Sequence, residues 1–446
     1  MAEHELSRKR QVLFIYSISC LIGIAMVFVA KALLLMIQLC TNLFYFQEFS
    51  FHERSPAEHS LGWISVIIPV IGGLIVGAMA RWGSKAIRGH GIPEAMENIL
   101  ERDSRIPRRI TLLKPLSSAV AIGSGGPFGA EGPIIATGGA LGSWIGQILP
   151  VTAYERKILL ASGAAAGMAA IFGTPLSAVM IAIELLLFEF RAKSFVPVVL
   201  ATVIAATLRG VFIGTESFFQ MPALGETSPT QLLVFLAFGV VMGLLCIFVT
   251  KSIYWIEDAF EKIPIHWMWW PALGGIAVGL IGLVEPRSLG VGYGNISMSL
   301  SGSLTVGAAV SILVWKFLSW AIALGSGTSG GTLAPLLTLG SAFGFIVGSG
   351  LTLAFPEWGI DPHAMALVGM AALFAGSSRA LLTSVIFALE GTKQPLGLVP
   401  LLGCCSIAYV VSTLLMKNSI MTEKIVRRGL QVPHEYYPIP RKSEKS

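Results

Sequence analysis

Long apolar stretches separated by short polar loops make up most of the chain. Leu13 to Ala30 contains no charged residue and, with its neighbours, is long enough to cross the roughly 30 Å hydrocarbon layer as a helix. Many apolar stretches are shorter or contain Gly and Pro, which predicts broken and tilted helices, and strand-like alternation is absent. The pattern therefore predicts an all-α polytopic membrane protein. Further apolar segments lie near 62–80, 111–123, 132–150, 158–188, 195–213, 230–254, 269–284, 304–324, 332–354, 364–390 and 395–416.

Composition supports this interpretation. Of the 446 residues, 54% are hydrophobic and 13% are charged, and the mean hydropathy of +0.75 lies far outside the range of soluble domains. The first apolar run is predicted to be a retained span rather than a signal peptide, because it is too long and no small-residue cleavage site follows it. The five cysteines lie in apolar runs without paired spacing, so they are expected to be core residues, and no metal or cofactor site is predicted.

The net charge of +6 is explained by membrane orientation rather than by a nucleic-acid partner. The basic residues cluster in short loops beside the spans, and such loops face the cytoplasm. Segments 47–60 and 214–230 have more acids than bases and are expected outside. Both termini are then cytoplasmic, and the bacterial (inner) plasma membrane is the expected location. The clustered basic residues are Arg8, Lys9, Arg10, Arg81, Lys85, Arg88, Arg102, Arg105, Arg108, Arg109, Arg427 and Arg428.

The chain contains an internal repeat at an offset of 202 residues. Of the 29 positions from Lys114 to Gly142, 13 are identical to the residue 202 positions later. The sequence Gly-Met-Ala-Ala at 167–170 also recurs at 369–372. We therefore predict a single transmembrane domain over 1–446, with halves of about 1–215 and 216–430 in inverted topology and a short cytoplasmic tail at 430–446.

Each half carries a glycine-rich turn, GSGGPFGAEGP at 123–133 and GSGTSGGTLAP at 325–335. Such turns break one helix and begin another, which exposes free backbone N–H groups and a partial positive charge. Lys114 and Lys316 add positive potential within apolar runs. The two turns together predict an anion site, and Glu131 is the one acid within them. Alternatively, the glycines only permit close helix packing, and Glu131 is a structural acid paired with a lysine.

Three motifs in this order carry a family resemblance: GHGIPE at 89–94, GAEGP at 129–133 and GGTLAP at 330–335. Together they resemble the CLC family of chloride channels and proton-coupled chloride antiporters, over nearly the whole chain to IMTEKIVRRG at 420–429. The resemblance implies a homodimer in the lipid bilayer with one anion pathway per subunit, and no cytoplasmic nucleotide-sensing domains. It makes Glu131 the external gate and proton-coupling residue. The implied anion-binding residues are His90, Gly91, Ile92, Gly129, Ala130, Gly132, Thr332, Leu333 and Met421.

Three positions depart from the family pattern. His90 stands where a serine usually contacts the anion, and Met421 stands where a tyrosine usually closes the inner side. Leu185 stands where many antiporters have an inner proton-relay glutamate, and the adjacent Glu184 is either a neighbouring functional acid or a buried structural one. His90 either donates to the anion or is turned aside to cap a helix or meet lipid headgroups. Because Leu185 cannot carry a proton, the source of the proton for Glu131 stays open.

The resemblance predicts a chloride transporter without enzymatic activity, with chloride/proton exchange gated by Glu131 as the leading expectation. Its alternatives are a passive chloride channel with weak or no proton coupling and a specialist for fluoride or another anion. A hypothesis from another class is an intramembrane hydrolase using Ser124 or Ser326 with a histidine, but no histidine stands at a helical partner position.

Overall fold

The computed structural model describes residues 2–214 and 217–432, with side chains from Lys9 onward, and these residues are almost entirely helical. The β-pairing in the described residues consists of two isolated bridges. The helices of the first half are α1 (Ala2–Thr41), α2 (Ile67–Ala78), α3 (Ile92–Glu101), α4 (Arg108–Gly123), α5 (Glu131–Ile148), α6 (Ala153–Phe172), α7 (Pro175–Ile181) and α8 (Ala192–Phe212).

The second half repeats this order with its own set of helices. Only 430–432 of the predicted tail lies within the described residues, so most of that prediction falls outside them. Eight helical stretches of the described chain are long and apolar enough to cross a membrane, which makes the protein a multi-pass integral membrane protein. The helices of the second half are α9 (Pro229–Glu261), α10 (Trp270–Val284), α11 (Tyr293–Ser301), α12 (Val306–Gly325), α13 (Leu333–Ala354), α14 (Pro362–Ser378), α15 (Leu381–Thr392), α16 (Leu398–Leu415) and α17 (Glu423–Arg427).

Two apolar segments that the sequence presents as continuous are each broken into two helices. Segment 158–188 ends its first helix at Gly173, whose φ of 68° is left-handed, and restarts at Pro175. Segment 364–390 breaks at Arg379, which has a φ of 62°. A left-handed residue reverses the path of the chain, and a proline is suited to the first turn of the next helix. The short second helices, α7 and α15, therefore pack against each other rather than continuing their predecessors.

The crossing of α2 and α10 shows how the two halves are related. A methyl group at Gly73 would lie 2.4 Å from the carbonyl oxygen of Pro271, and one at Gly275 would lie 2.5 Å from that of Pro69. Pro69 and Gly73 are the repeat partners of Pro271 and Gly275, so the two contacts are reciprocal. Reciprocal contacts between equivalent residues define a two-fold relation. Two halves related in this way are inverted repeats of the kind found in membrane transporters.

Close glycine contacts also pair α5 with α6 and α13 with α14, and they correct the predicted register. Gly138 packs on the carbonyl of Gly163, and Gly340 packs on that of Gly369. Gly163 and Gly369 are 206 residues apart, so the equivalent helices follow a longer offset after α13. The two Gly-Met-Ala-Ala sequences, which are 202 residues apart, are therefore one helical turn out of structural register. The reason is that the second half has four more residues between the paired helices.

Candidate anion and proton site

The N-termini of α5 and α13 meet at the centre of the protein. Gly129 and Gly331 form an antiparallel bridge, in which each amide donates to the other's carbonyl at N–O distances of 3.4 and 3.2 Å. The two glycines are repeat partners, so the bridge lies at the two-fold relation between the halves. The two predicted glycine-rich turns thus form a single structural unit. The helices α5 and α13 begin two residues after the bridged glycines, at Glu131 and Leu333.

Four backbone amides at these N-termini have no helical carbonyl to bond. The first amides that donate within the helices are those of Ile134, to Ala130, and Leu336, to Thr332. The prolines of both first turns lack an N–H, so each helix begins with two available amides. Such amides carry partial positive charge and favour an anion. The available amides belong to Glu131, Gly132, Leu333 and Ala334.

The Glu131 side chain lies in the space in front of these amides. Its side chain is fully buried, and its Oε1 accepts a hydrogen bond of 2.9 Å from the Tyr293 hydroxyl. Its Oε2 lies over Gly129, only 3.1 Å from where a methyl group at Gly331 would be. The amides of Glu131 itself and of Ala334 face the carboxylate. A carboxyl group therefore already occupies the position that the two helix N-termini favour for an anion.

The GHGIPE turn packs directly against the start of α5. The His90 carbonyl oxygen lies 2.1 Å from where a methyl group at Gly132 would be, so a side chain there would separate the turn from the helix. Gly91 has a φ of 96°, and its amide donates to Glu94 Oε2 at 2.7 Å. This amide caps α3, which begins at Ile92, and it is not free for an anion in this conformation. His90 is buried, and its Nδ1 has no hydrogen-bond partner in the described chain.

The remaining predicted anion-binding residues are also buried. Ala130 and Leu333 flank the bridge, and the Oγ1 of Thr332 has no hydrogen-bond partner in the described part of the chain. Met421 is fully buried in the turn that precedes α17, where the preceding residue, Ile420, accepts a hydrogen bond of 2.8 Å from the Tyr254 hydroxyl. This turn thus has a hydroxyl nearby, but the hydroxyl is engaged with a backbone carbonyl.

The two buried lysines make equivalent contacts in the two halves. Lys114 Nζ donates to the carbonyl oxygens of Ile87 and Gly89, both at 2.8 Å. Lys316 Nζ donates to those of Ser288 and Gly290 at 2.9 and 2.7 Å. Each lysine therefore ties the loop before α3 or α11 to the helix that leads into a glycine-rich turn. Their hydrogen bonds have a structural role that the spacing alone does not reveal.

The second copy of the GHGIPE turn carries a residue that sequence reasoning missed. GVGYGN at 290–295 matches GHGIPE at 89–94 with an offset of 201 residues. Tyr293 is therefore the repeat partner of Ile92. Both residues begin a short helix after a glycine with positive φ. The repeated Gly-X-Gly pattern was the available signal, but nothing in it shows that the Tyr293 hydroxyl reaches Glu131.

Leu185 and Glu184 lie away from this centre, where α7 and α15 pack together. Leu185 is buried in the helical turn that follows α7. The Glu184 carboxylate accepts the amides of Leu382 and Thr383, both at 2.9 Å, at the start of α15. Its counterpart Glu390 accepts two amides at the start of α7. Glu184 is thus one of two reciprocal helix caps, which favours the structural interpretation of this acid.

Neither serine of the hydrolase hypothesis contacts a histidine in the described residues. Ser124 Oγ donates to the carbonyl of Ala121, and Ser326 Oγ donates to that of Ala323. Both hydroxyls bond the preceding turn of their own helix, so neither has a base that could activate it. The geometry does not support a catalytic pair.

Two cavities flank the central site. The first cavity, which we name the vestibule, has a volume of about 470 Å³ and is lined by Ala130, Tyr293, Glu53, Arg54 and Arg287, among others. The second cavity, of about 750 Å³, is lined by charged residues of both signs. These include Lys85, Arg88, Glu94, Glu97, Glu257, Glu261, Lys424, Arg427 and Arg428.

The fold and the site define a helical membrane transport protein made of two inverted halves. The sequence profile described as "Voltage gated chloride channel" matches residues 72–413. An H(+)/Cl(-) exchange transporter ClcA of Vibrio campbellii is 32% identical over 383 residues, which cover 82% of this chain and 80% of the relative. The chain therefore belongs to the voltage gated chloride channel family, the CLC family that its motifs resemble.

Other similarities support this assignment. Chloride channel protein CLC-f of Arabidopsis thaliana is 30% identical over 373 residues, covering 78% of this chain and 46% of that protein. The crystal structure of a slow cyanobacterial Cl-/H+ antiporter has a TM-score of 0.82 at 23% identity, covering 94% of this chain and 98% of the other. A CLC-type fluoride/proton antiporter has a TM-score of 0.74 at 21% identity, covering 93% and 98%. At these identities the two structures show the shared fold.

Proposed function

We propose that this chain transports chloride across the membrane in exchange for protons and that Glu131 is its gate. The observation that carries the proposal is the position of the Glu131 carboxylate, which is fully buried and faces the N-terminus of α13 as well as that of its own helix. A carboxylate and a chloride ion are both monovalent anions. They therefore compete for the same backbone donors, and each excludes the other.

Protonation of Glu131 decides whether its side chain or chloride occupies this position. The ionised Glu131 is held by amide donors and blocks the path. A protonated Glu131 carries no charge, so the donors no longer favour it over chloride, and the side chain can leave the position. Arrival of a proton thus opens the space to an anion, and loss of the proton closes it. A single residue can couple the two movements in this way.

The anion would contact groups around this position. We propose that the amides of the two N-termini bind it, with Gly129, Ala130, Gly132, Thr332 and Leu333 forming the turns. His90, Gly91, Ile92 and Met421 would line the approach from the second cavity, and Lys114 and Lys316 would supply positive potential. The unpartnered Oγ1 of Thr332 and Nδ1 of His90 support this assignment, because buried polar atoms without partners are uncommon. The halves, about 1–215 and 216–430, would each contribute one turn.

A passive chloride pathway is the second candidate, and Leu185 favours it. A leucine cannot relay a proton, and the neighbouring Glu184 is engaged in capping α15. The exchange function is favoured by relatives whose names describe H(+)/Cl(-) exchange. The two candidates differ in one measurable quantity, the proton movement that accompanies chloride flux.

The experiment is a coupled flux assay on the full chain reconstituted in liposomes. Vesicles are loaded with chloride, diluted into low chloride, and the external pH is followed with the membrane potential controlled by potassium and valinomycin. Proton movement against its own gradient, driven by the chloride gradient, is the expected result. Chloride flux without proton movement would establish the passive pathway instead. A parallel experiment with fluoride tests the alternative anion.

The Glu131→Gln variant tests the gate itself. Glutamine has nearly the same shape but cannot ionise, so we expect chloride flux to continue and proton coupling to disappear. Glu390→Gln is the matched control, because it alters a partly buried carboxylate that caps α7, outside the proposed path. Unchanged coupling in Glu131→Gln, or the same loss in the control, would contradict the assignment of the gate.

We further propose that the protein is a homodimer in the plasma membrane with both termini in the cytoplasm. Family resemblance supports the dimer, and the basic loops support the orientation. Single-molecule photobleaching of labelled protein in liposomes should give two steps per particle. Fluorescent fusions at the two ends should both report a cytoplasmic position.

A further inference from the structure

We infer that Tyr293 is a latch, which holds the ionised Glu131 side chain in the blocking position and sets the pH at which the gate opens. This inference rests on the proposed gating function of Glu131 and adds a second residue to it. The Tyr293 hydroxyl donates to Glu131 Oε1 at 2.9 Å. It is the side-chain hydrogen bond that the structure gives to this carboxylate within the described residues.

The ring of Tyr293 is fixed before it meets the carboxylate. The ring makes edge-to-face contacts with the rings of Phe172, Phe218 and Phe219, at centroid–centroid distances of 6.0, 4.9 and 6.4 Å. The loop that leads into α11 is tied down by Lys316, which holds the carbonyl of Gly290. Edge-to-face aromatic packing restricts a ring to one orientation. The hydroxyl therefore already points at Glu131, and little ordering is needed to form the hydrogen bond.

The latch distinguishes the two protonation states of Glu131. A phenol donor bonds an ionised carboxylate about twice as strongly as a neutral acid. Tyr293 therefore stabilises the ionised, blocking form more than the protonated form. When a proton reaches the carboxylate, the hydrogen bond weakens and the side chain is released. Tyr293 also lines the vestibule, which we propose is the side from which external protons arrive.

Several other charged groups surround the site. On the vestibule side, Glu53 lines the cavity, and its charge acts on Tyr293. Arg287 is paired with Glu285. Arg54 and Glu58 line the same cavity, and Arg54 is paired with Glu48. Neighbouring elements also carry Lys114 and Lys316, which bond loop carbonyls, and His90, which is close to Glu94, Lys424 and Lys114.

The test is the dependence of chloride flux on external pH in Tyr293→Phe. This variant removes one oxygen and keeps the ring. Without the donor, the ionised form of Glu131 is less favoured, so protonation and opening occur at higher pH. We expect the midpoint of the profile to move about one pH unit to the alkaline side, which corresponds to about a tenfold change in proton affinity. Chloride flux at neutral pH should rise accordingly.

Two comparisons separate the latch from a general effect on structure. Tyr45→Phe removes another buried hydroxyl, which donates to the backbone carbonyl of Ser124, and it should leave the midpoint in place. The double variant Glu131→Gln with Tyr293→Phe should behave like Glu131→Gln alone, because no carboxylate remains to be held. Tyr293→Leu, which also lacks the hydroxyl, should shift the profile in the same direction as the phenylalanine.

Each result has a distinct meaning. A Tyr293→Phe profile that coincides with wild type, while Glu131→Gln still ends coupling, overturns the latch and leaves the gate intact. A shift that persists in the double variant also overturns it, because the hydroxyl would then act on another group. If Glu131→Gln itself has no effect on coupling, both the proposed gate and the latch that rests on it are overturned.

Discussion

Replacing Lys114 tests separately the hydrogen bonds that this buried residue makes and the positive potential that it is proposed to supply. Its ammonium group holds the carbonyls of Ile87 and Gly89 at 2.8 Å, and its charge is proposed to add positive potential near the site. Lys114→Met removes both properties, whereas Lys114→Gln removes the charge but keeps an N–H donor. The two variants should therefore differ if the hydrogen bonds matter more than the charge.

The magnitude follows from the two contacts. Each hydrogen bond to a charged donor contributes about 1.5–3 kcal/mol, and truncation leaves two buried carbonyl oxygens without a partner. Part of this is offset, because the charge of Lys114, a residue that is 1% exposed, no longer has to be buried. We expect Lys114→Met to lower the free energy of unfolding by about 2–4 kcal/mol. Lys114→Gln should recover about half of that loss, since hydrogen bonds from a neutral amide are about half as strong as those from a charged ammonium group.

The assay combines thermal unfolding in detergent with chloride flux from liposomes. Flux should follow stability in the series wild type, Lys114→Gln and Lys114→Met, because the loop that carries His90 and packs on the start of α5 loses its anchor. If Lys114→Gln and Lys114→Met lose flux equally while both remain as stable as wild type, the charge rather than the anchoring accounts for the role of this residue.

Two further predictions concern packing between the halves. Glu184→Gln should destabilise the protein by about 1–2 kcal/mol, because it weakens the cap of α15, and it should keep proton coupling in the liposome assay. Glu390→Gln should behave in the same way. Loss of coupling in Glu184→Gln alone would make Glu184 a proton relay. Gly275→Ala and Gly73→Ala should each cost about 1–3 kcal/mol in thermal unfolding, because the added methyl meets backbone across the crossing of α2 and α10. Gly307→Ala, where nothing lies within 4 Å, is the control; unequal losses at the two crossing positions would contradict the reciprocal contact.

Much of the fold could be predicted from the sequence because its signals are local or repeat along the chain. Apolar length indicates the spans, since a helix must satisfy its own backbone within the bilayer. The 202-residue offset indicates two related halves, and their inverted relation is confirmed by the contacts of Pro69, Gly73, Pro271 and Gly275. The breaks at Gly173 and Arg379 were less accessible, because apolar residues continue across them and only the left-handed backbone shows where the helices end.

The candidate site could likewise be predicted from the sequence only in part. The sequence by itself determined that one acid, Glu131, lies in one of two glycine-rich turns, and that Leu185 cannot serve as an inner proton relay. Only the tertiary structure decided that Gly129 and Gly331 pair, that Lys114 bonds a loop, that Glu184 caps a distant helix and that Tyr293 reaches Glu131. The physical reason is that side-chain contacts between residues far apart in the chain depend on how helices cross and turn. Local propensity and periodicity specify each helix, but not the neighbour against which it packs.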